Sequence, residues 1–483
     1  MIPKSLSSSS IYKASHQLLE TRYKTMAIQV VILAAGQGKR MRSHLPKVLH
    51  SLAGKPLLEH VIDTAQKISP DSPPIIVYGH QGDILKNALQ HHNVCWVEQH
   101  EQLGTGHAVL QAMPHLADEN GVVILYGDVP LISQHTLKKL IDAAENTFSI
   151  LTTNLEHPHG YGRIKRDEHN NIVAIIEEKD ANYAERKITE VNTGIYFIPA
   201  KLLKKWLPKL KNNNAQHEYY LTDVITQAVD ENIMIHASHP ESDDEIFGIN
   251  DRLQLAHVER RYQKKLAEKL MLQGVTMIDP ARVDIRGDVR IGQDVIIDIN
   301  VILEGNVTIG NNCVIGPNTI LRNTVIENNV EIKANSFIDG AEIADHVVIG
   351  PFARLRPGTI LAANSHVGNF VEIKNSFIGA NTKVNHLSYV GDSEVGVSVN
   401  IGAGTITCNY DGINKHKTII GDNAFIGSCT QLVAPVTVGE GATIGAGSTI
   451  TRDAPAHKLT LSRVPQKTIL DWQRPVKDKK SET

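Results

Sequence analysis

From Ile285 onward an aliphatic residue returns at every sixth position, and no other feature of this 483-residue chain restricts its fold as tightly. Ile285, Ile291, Ile297, Leu303, Ile309, Ile315 and Leu321 stand in strict register. After short interruptions the step resumes at Ile326, Ile332 and Ile338, then at Ile343, Ile349, Leu355, Leu361, Val367 and Ile373. A last run keeps step through Ile420, Ile426, Leu432, Val438, Ile444 and Ile450, often with glycine next, as in Ile426-Gly427. Six residues make one flat side of a triangular coil, so aliphatic residues at that spacing stack into an internal ladder. The expected fold of residues 275–483 is a left-handed parallel β-helix of hexapeptide repeats with a C-terminal tail. A β-sandwich would alternate every second residue and turn at intervals of about 8–12 residues.

The first half follows another rule. Between Ala27 and about Arg252, short β-branched runs alternate with helix-like segments: Gln29 to Leu33, Leu57 to Lys67, Pro74 to Tyr78, Asp83 to Gln90, and the wholly apolar Val122 to Tyr126. That order predicts βαβ units around a mostly parallel sheet, a Rossmann-like α/β domain over residues 26–250. Ligands on such sheets sit at the carboxyl ends of the strands. Residues 251–274 predict a connecting α-helix, free of proline and closed by Gly274. Residues 1–25 are Ser-rich and predict a disordered extension.

Composition removes several classes of function. With 49 basic and 52 acidic residues, the formal charge is −3, which gives no electrostatic case for nucleic acid or membrane. No apolar run reaches the roughly 20 residues that span a bilayer. Cys95, Cys313, Cys408 and Cys429 lie far apart without a C-x-x-C pair, which argues against a structural zinc site or disulfide framework and fits a reducing cytoplasm.

Two regions carry chemistry. Leu33-Ala-Ala-Gly-Gln-Gly-Lys-Arg-Met41 follows a buried strand and precedes a helix-like segment, where backbone N–H groups can cradle phosphate. Alone, such a turn serves equally well without a ligand. Arg40 and Lys47 add positive charge, and Tyr126-Gly127-Asp128-Val129-Pro130 sets a carboxylate at a strand end, where Mg²⁺ could bridge protein and phosphates. In the second half, polar segments separate the clean six-step runs: Arg354 to Pro357, Val367 to Lys374, Asn385 to Tyr389 and Asn400 to Tyr410. Residues this polar have no packing reason to break the ladder. Acetyl transfer to an amine needs a base and oxyanion donors, and His386 is the natural base among 23 histidines. Arg356 and Lys374 have a solvated coil edge as their bland alternative. Glu372 either pairs with Lys374 or polarises the site.

Taken together, LAAGQGKRM, LPKVLH, EQLGTGHA (Glu101 to Ala108), YGDVP, GYGRI (Gly160 to Ile164), EEKDA (Glu177 to Ala181), VNTGI (Val191 to Ile195), NNNAQHEYYLTD (Asn212 to Asp223) and GIND (Gly248 to Asp251) resemble the sugar-1-phosphate nucleotidyltransferase family. Within it the chain is similar to the bifunctional branch that carries a hexapeptide-repeat acetyltransferase and synthesises UDP-N-acetylglucosamine. The likeness runs from Gln29 to the last residues. It implies that Leu33, Ala34, Ala35, Gly36, Tyr126 and Gly127 contact the nucleotide, that Arg40 and Lys47 bind phosphates, and that Gln99, Gly104 and Thr105 hold uracil. It implies that Gly162, Glu177 and Asn192 hold the acetylated sugar, while Asp128 and Asn250 ligate Mg²⁺.

For the second half it implies that His386, in NHLSY, is the catalytic base. Arg356, Lys374, Tyr389 and Asn400 would hold glucosamine-1-phosphate, and Ala403, Asn409, Tyr410, Ser428, Ala446 and Arg463 would line an acetyl-CoA cleft. The implied substrates are UTP, N-acetylglucosamine-1-phosphate, glucosamine-1-phosphate and acetyl-CoA, and the product feeds bacterial cell-wall and lipid A synthesis. Parallel coils packing by their flat faces, together with the resemblance, imply a homotrimer with the segment around Trp472 reaching a neighbour. One departure is local: Gln37-Gly38-Lys39 stands where the family commonly has Lys-Gly-Thr. Two alternatives stay open from sequence: a single-activity pyrophosphorylase with a trimerising β-helix, and a scaffold without either chemistry.

Overall fold

The computed structural model describes residues 26–475; the extension expected at residues 1–25 lies outside the described residues. The chain divides into two compact units at Tyr262/Gln263. Among the described residues no helix is long and apolar enough to cross a membrane.

The first unit is built on a nine-stranded sheet among the described residues. Its strands are β1 (Ile28–Ala34), β2 (Ile75–Tyr78), β3 (Cys95–Glu98), β4 (Gly121–Tyr126), β5 (Phe148–Asn154), β6 (Gly162–Arg166), β7 (Ile172–Ile176), β8 (Glu190–Pro199) and β9 (Ile235–Ser238). The main order is β9-β5-β8-β4-β1-β2-β3, with β6 pairing β8 and β7 off that path. β1 lies parallel between β2 and β4, whereas β8 runs antiparallel to β4 and β5. The expected mostly parallel sheet therefore holds for the half that carries the glycine turn, and β8 adds an antiparallel seam. Both faces are covered, which explains the unbroken apolar run of β1. Val30 and Ile32 pack into one core, with the helix Leu57–Ile68, while Val31 and Leu33 pack into the other, with the helix Thr105–Ala112.

After the glycine turn the chain makes two 3₁₀ turns, Lys39–Met41, flanked by Gly38 and Arg42 in the left-handed region, and Lys47–Leu49. The expected helix then runs Leu57–Ile68. The connecting helix runs Arg252–Leu272 and is closed by Gly274 at φ 104°.

The second unit is the expected parallel β-helix. Successive coils pair in parallel register, such as Ile285↔Leu303, Leu303↔Leu321, Leu321↔Ile338 and Leu355↔Ile373. Every aliphatic residue of the six-step pattern is buried in one continuous core except Ile291, which is half-buried against it. The polar segments do not break the ladder. It continues through Ile378, Val384, Val390, Val395, Ile401 and Thr407, all buried, because some coils, as from Ile373 to Val390, hold 17 residues rather than the 18 from Leu355 to Ile373, losing one residue at a corner. Corners take left-handed backbone, which explains the recurring asparagines, among them Asn300, Asn318 and Asn335 in one column and Asn312 and Asn329 in another. One coil is longer: Val397 N reaches Asp422 across 25 residues, and the excess forms a loop closed by the Tyr410↔Lys415 bridge.

Candidate active sites

In the first unit, two adjoining cavities open at the carboxyl ends of β1 and β4. The first, of about 490 Å³, is lined by Leu33, Ala34, Ala35, Gly36, Lys47, Gln99, Gly104, Thr105, Tyr126 and Asp128. The second, of about 750 Å³, is lined by Arg40, Gly162, Glu177, Asn192 and Asn250, and shares Tyr126 and Asp128 with the first. Of the residues expected here, only Gly127 lines neither; it lies behind the wall, its N–H donating to the Leu33 carbonyl at 2.9 Å.

Lys47 stands where the cavities meet. Its ammonium forms an ion pair with Asp128 Oδ2 and donates to Asn250 Oδ1 at 3.1 Å. Both charged side chains are largely buried. Two hard oxygen donors from distant parts of the sequence thus converge on a single cationic point.

The walls are fixed by local chemistry. Gly104 has φ 111°, and a Cβ there would lie 2.6 Å from the Tyr219 carbonyl oxygen, so glycine alone fits. Gln99, buried, donates through Nε2 to the Gly104 carbonyl at 3.2 Å. At Gly36 a Cβ would meet nothing within 4 Å, so this backbone lies open to the cavity. Asn192 donates to the Tyr196 hydroxyl at 2.7 Å and accepts from Gly194 N–H at 3.0 Å, which locks its amide. Burial raises the Glu177 carboxyl above its ordinary value, against one hydrogen bond from the Thr222 hydroxyl at 3.3 Å. Burial also raises the Tyr126 phenol, with the charges of Glu177 and Asp128 adding to it. In both groups burial disfavours the charged form.

Several wall residues escaped the sequence reasoning although the quoted motifs contain them. Gln102 and Glu218 line the first cavity, and Tyr161 lines the second. Arg163 is 2% exposed and holds the loop before β6. It donates to the Tyr161 carbonyl and to Glu178 Oε2 at 3.0 Å, and the same oxygen accepts from Gly160 N–H at 2.8 Å.

The second unit gathers the expected residues into two groups. On one face, Arg356 donates to Glu372 Oε1 at 3.0 Å, Lys374 pairs with Asp392 at 3.4 Å, and Asn409 donates to Asp392 and, at 3.5 Å, to the Tyr389 hydroxyl. The stacking follows register, with Arg354↔Glu372 and Glu372↔Tyr389. Burial opposes ionisation of Asp392, but the Asn375 and Asn409 amides and the Lys374 ammonium outweigh it and hold the carboxyl below its ordinary range. Glu372 is thus the partner of Arg356 rather than of Lys374. Sequence reasoning did not single out Asp392, which joins Lys374 to Asn409 across coils.

Around the neighbouring corner stands His386, in register with Asn369 on the adjacent coil. The ring Nδ1 lies 2.8 Å from Asn369 Oδ1. An amide oxygen only accepts, so in the neutral ring this contact puts the proton on Nδ1 and leaves Nε2 as the acceptor. Below His386, Ala403, Ser428 and Ala446 follow on successive coils, tied by Gly404 N–H to His386 O, Cys429 N–H to Ala403 O and Gly447 N–H to Ser428 O. Arg463 donates to the Ala446 carbonyl at 3.0 Å. Asn400 lies on the same face, beside Lys383 in register. Tyr410 projects from the inserted loop and is exposed.

Comparison with known proteins follows this division. Residues 30–191 match the MobA-like NTP transferase domain, residues 285–368 the GMPPB C-terminal domain, and residues 417–452 the bacterial transferase hexapeptide family. The chain is 53% identical over 454 residues to the bifunctional protein GlmU of Janthinobacterium sp. (strain Marseille), covering 94% of this chain and 100% of that protein. It is 53% identical over 451 residues to the bifunctional protein GlmU of Marinobacter nauticus, covering 93% and 99%. Among solved structures, a UDP-glucose pyrophosphorylase complexed with UDP-glucose is similar over 50% of this chain and 100% of that one, at 19% identity and a TM-score of 0.42.

Proposed function

Because this chain belongs to the family of the bifunctional protein GlmU, we propose that it makes UDP-N-acetylglucosamine at two separate sites: a uridyltransferase in residues 26–250 and an acetyltransferase in residues 275–483, joined by helix 251–274. The support for the first activity is the convergence of Lys47, Asp128 and Asn250 where two cavities adjoin. UTP takes the first cavity, with uracil against Gln99, Gly104 and Thr105 and the triphosphate along Leu33 to Gly36 and Arg40. N-Acetylglucosamine-1-phosphate takes the second, held by Gly162, Glu177 and Asn192. An oxygen of the sugar phosphate attacks the α-phosphorus of UTP in line, the bond to the β-phosphate breaks, and pyrophosphate leaves. The side chains orient and neutralise, and no nucleophile from the protein is needed.

Asp128 and Asn250 present the oxygen donors that suit Mg²⁺, already aimed at one cationic point. When bound, Mg²⁺ supplies charge neutralisation at the phosphates. Lys47 is then the phosphate-binding cation of the site.

In the second activity the amine of glucosamine-1-phosphate attacks the thioester carbonyl of acetyl-CoA. His386 Nε2 takes the proton from the attacking amine, and coenzyme A leaves as the thiolate, which is reprotonated. Asn369 keeps Nδ1 protonated and the base nitrogen free. Arg356 and Lys374 bind the sugar phosphate, Tyr389 and Asn400 the sugar. Ala403, Asn409, Tyr410, Ser428, Ala446 and Arg463 form the acetyl-CoA cleft.

The working form is a homotrimer in the cytoplasm. Supporting it, Phe352, Phe370 and Leu387 occupy one corner column in the left-handed backbone region with 49%, 55% and 63% of their surface exposed, and Val464, Ile469, Leu470 and Trp472 are exposed along the tail. Apolar surface of this extent is suited to cover by neighbouring copies.

A split assay tests both activities: thiol release from acetyl-CoA with glucosamine-1-phosphate, and pyrophosphate release from UTP with N-acetylglucosamine-1-phosphate and Mg²⁺. Asp128→Ala is expected to lower pyrophosphate release by at least about 100-fold and leave thiol release intact, and His386→Ala to do the reverse. Pyrophosphate without thiol from the unmodified chain would leave a single-activity enzyme.

A further inference from the structure

We propose that Glu59, His91 and His92 form a binding site for a divalent transition-metal ion of the zinc type, in the first unit and apart from both cavities. None of the three lines either cavity. Glu59 lies in the first turn of the helix Leu57–Ile68, and the two histidines lie between the helix Gly82–Ala88 and β3. Their donor atoms all fall within 4.8 Å of one another. Nε2 of His91 is 3.6 Å, and Nε2 of His92 3.7 Å, from Glu59 Oε1. Such separations are too long for hydrogen bonds. They are close to the edge of a tetrahedral coordination sphere, about 3.3 Å for bonds of about 2.0 Å.

A second observation points the same way. His92 Nε2 is buried and has no hydrogen-bond partner, while its side chain, only 11% exposed, faces a Glu59 carboxylate that is 14% exposed. A buried polar atom left unpaired costs free energy, and a metal ion accepting its lone pair removes that cost. Two imidazoles and one carboxylate suit zinc and its neighbours, whereas Mg²⁺ favours oxygen donors throughout, so this site does not compete with Asp128. His91 is more than half exposed, which leaves a coordination position open to water.

The placement gives the ion a structural consequence. The first turn of the Glu59 helix anchors the chain beyond Lys47, through Leu57 N–H to the His50 carbonyl at 3.0 Å. The histidine turn feeds β3, which ends one residue before Gln99. A bound ion therefore clips together two elements that lead to residues lining the first cavity, Lys47 and Gln99.

The test is calorimetric titration of the full chain with zinc chloride in Mg²⁺-containing buffer, beside thermal melts with and without zinc. The expected result is one zinc ion per chain lost with His91→Ala, whose affinity falls at least about tenfold, and a zinc-induced rise in Tm present only in the unmodified chain. His91 is exposed enough that its removal leaves folding intact, and Glu59→Gln keeps the side-chain shape while deleting the anionic donor. Zinc uptake unchanged in both variants, or no uptake by the unmodified chain, would overturn the proposal.

Discussion

At Glu177, binding and stability pull in opposite directions. Burial in the second cavity raises its carboxyl above the ordinary glutamate value of about 4.3, so the folded protein holds that proton more tightly than the unfolded chain. The contribution is therefore most favourable below the ordinary value and is lost as pH rises through the raised one. Replacing the group by a neutral isostere removes the loss. Glu177→Gln is expected to raise Tm near pH 8, with the gain shrinking toward zero as pH approaches about 4, while KM for N-acetylglucosamine-1-phosphate increases. Scanning calorimetry across that range, beside pyrophosphate assays, checks both halves; a lowered Tm at pH 8 would contradict it. Motif residues such as Lys47, Asp128 and Asn250 were legible in the sequence. Their meeting at one ammonium was not, because the partners lie 81 and 203 positions from Lys47 and only the tertiary fold brings them together. The same holds for Asn369 beneath His386, which adjacent coils align 17 residues apart.

At the scale of elements, the aliphatic ladder decides the stability of the coils. Leu355 is fully buried between Ile338 and Ile373 on its two sides. Leu355→Ala should cost about 2–5 kcal/mol through lost burial and the cavity left behind, measured as a shift of the denaturant midpoint for the second transition. Uridyl transfer should survive, since Leu355 belongs to the core of the second unit. The six-residue step was readable because coil geometry imposes it on every inward position. The steps of five, as from Ile373 to Ile378 and Val390 to Val395, hid the ladder's continuation, because a corner can shed one residue without moving the next inward side chain. The helix expected after the glycine turn forms at Leu57–Ile68, while left-handed backbone at Gly38 and Arg42 confines the stretch before it to short 3₁₀ turns, leaving Arg40 beside the second cavity.

For the molecule as a whole, each unit encloses its own core: two cores flank the sheet of the first, and one runs the length of the second. Sedimentation equilibrium at micromolar concentration is expected to give three chains per particle, and charged substitutions at Phe352 and Phe370, whose rings stack at 5.1 Å, should shift the equilibrium toward single chains. A monomer from the unmodified protein would refute the trimer. The coil arithmetic carries one more consequence. Because each coil pairs only with the coils on either side of it, the tolerated change of length is quantised. Excising a whole coil leaves every surviving inward residue facing inward, whereas deleting one or three residues from a flat side turns the rest of that side inside out. Growth and shrinkage of such a chain therefore proceed by entire coils, or by additions confined to a corner, as the Tyr410 loop already illustrates.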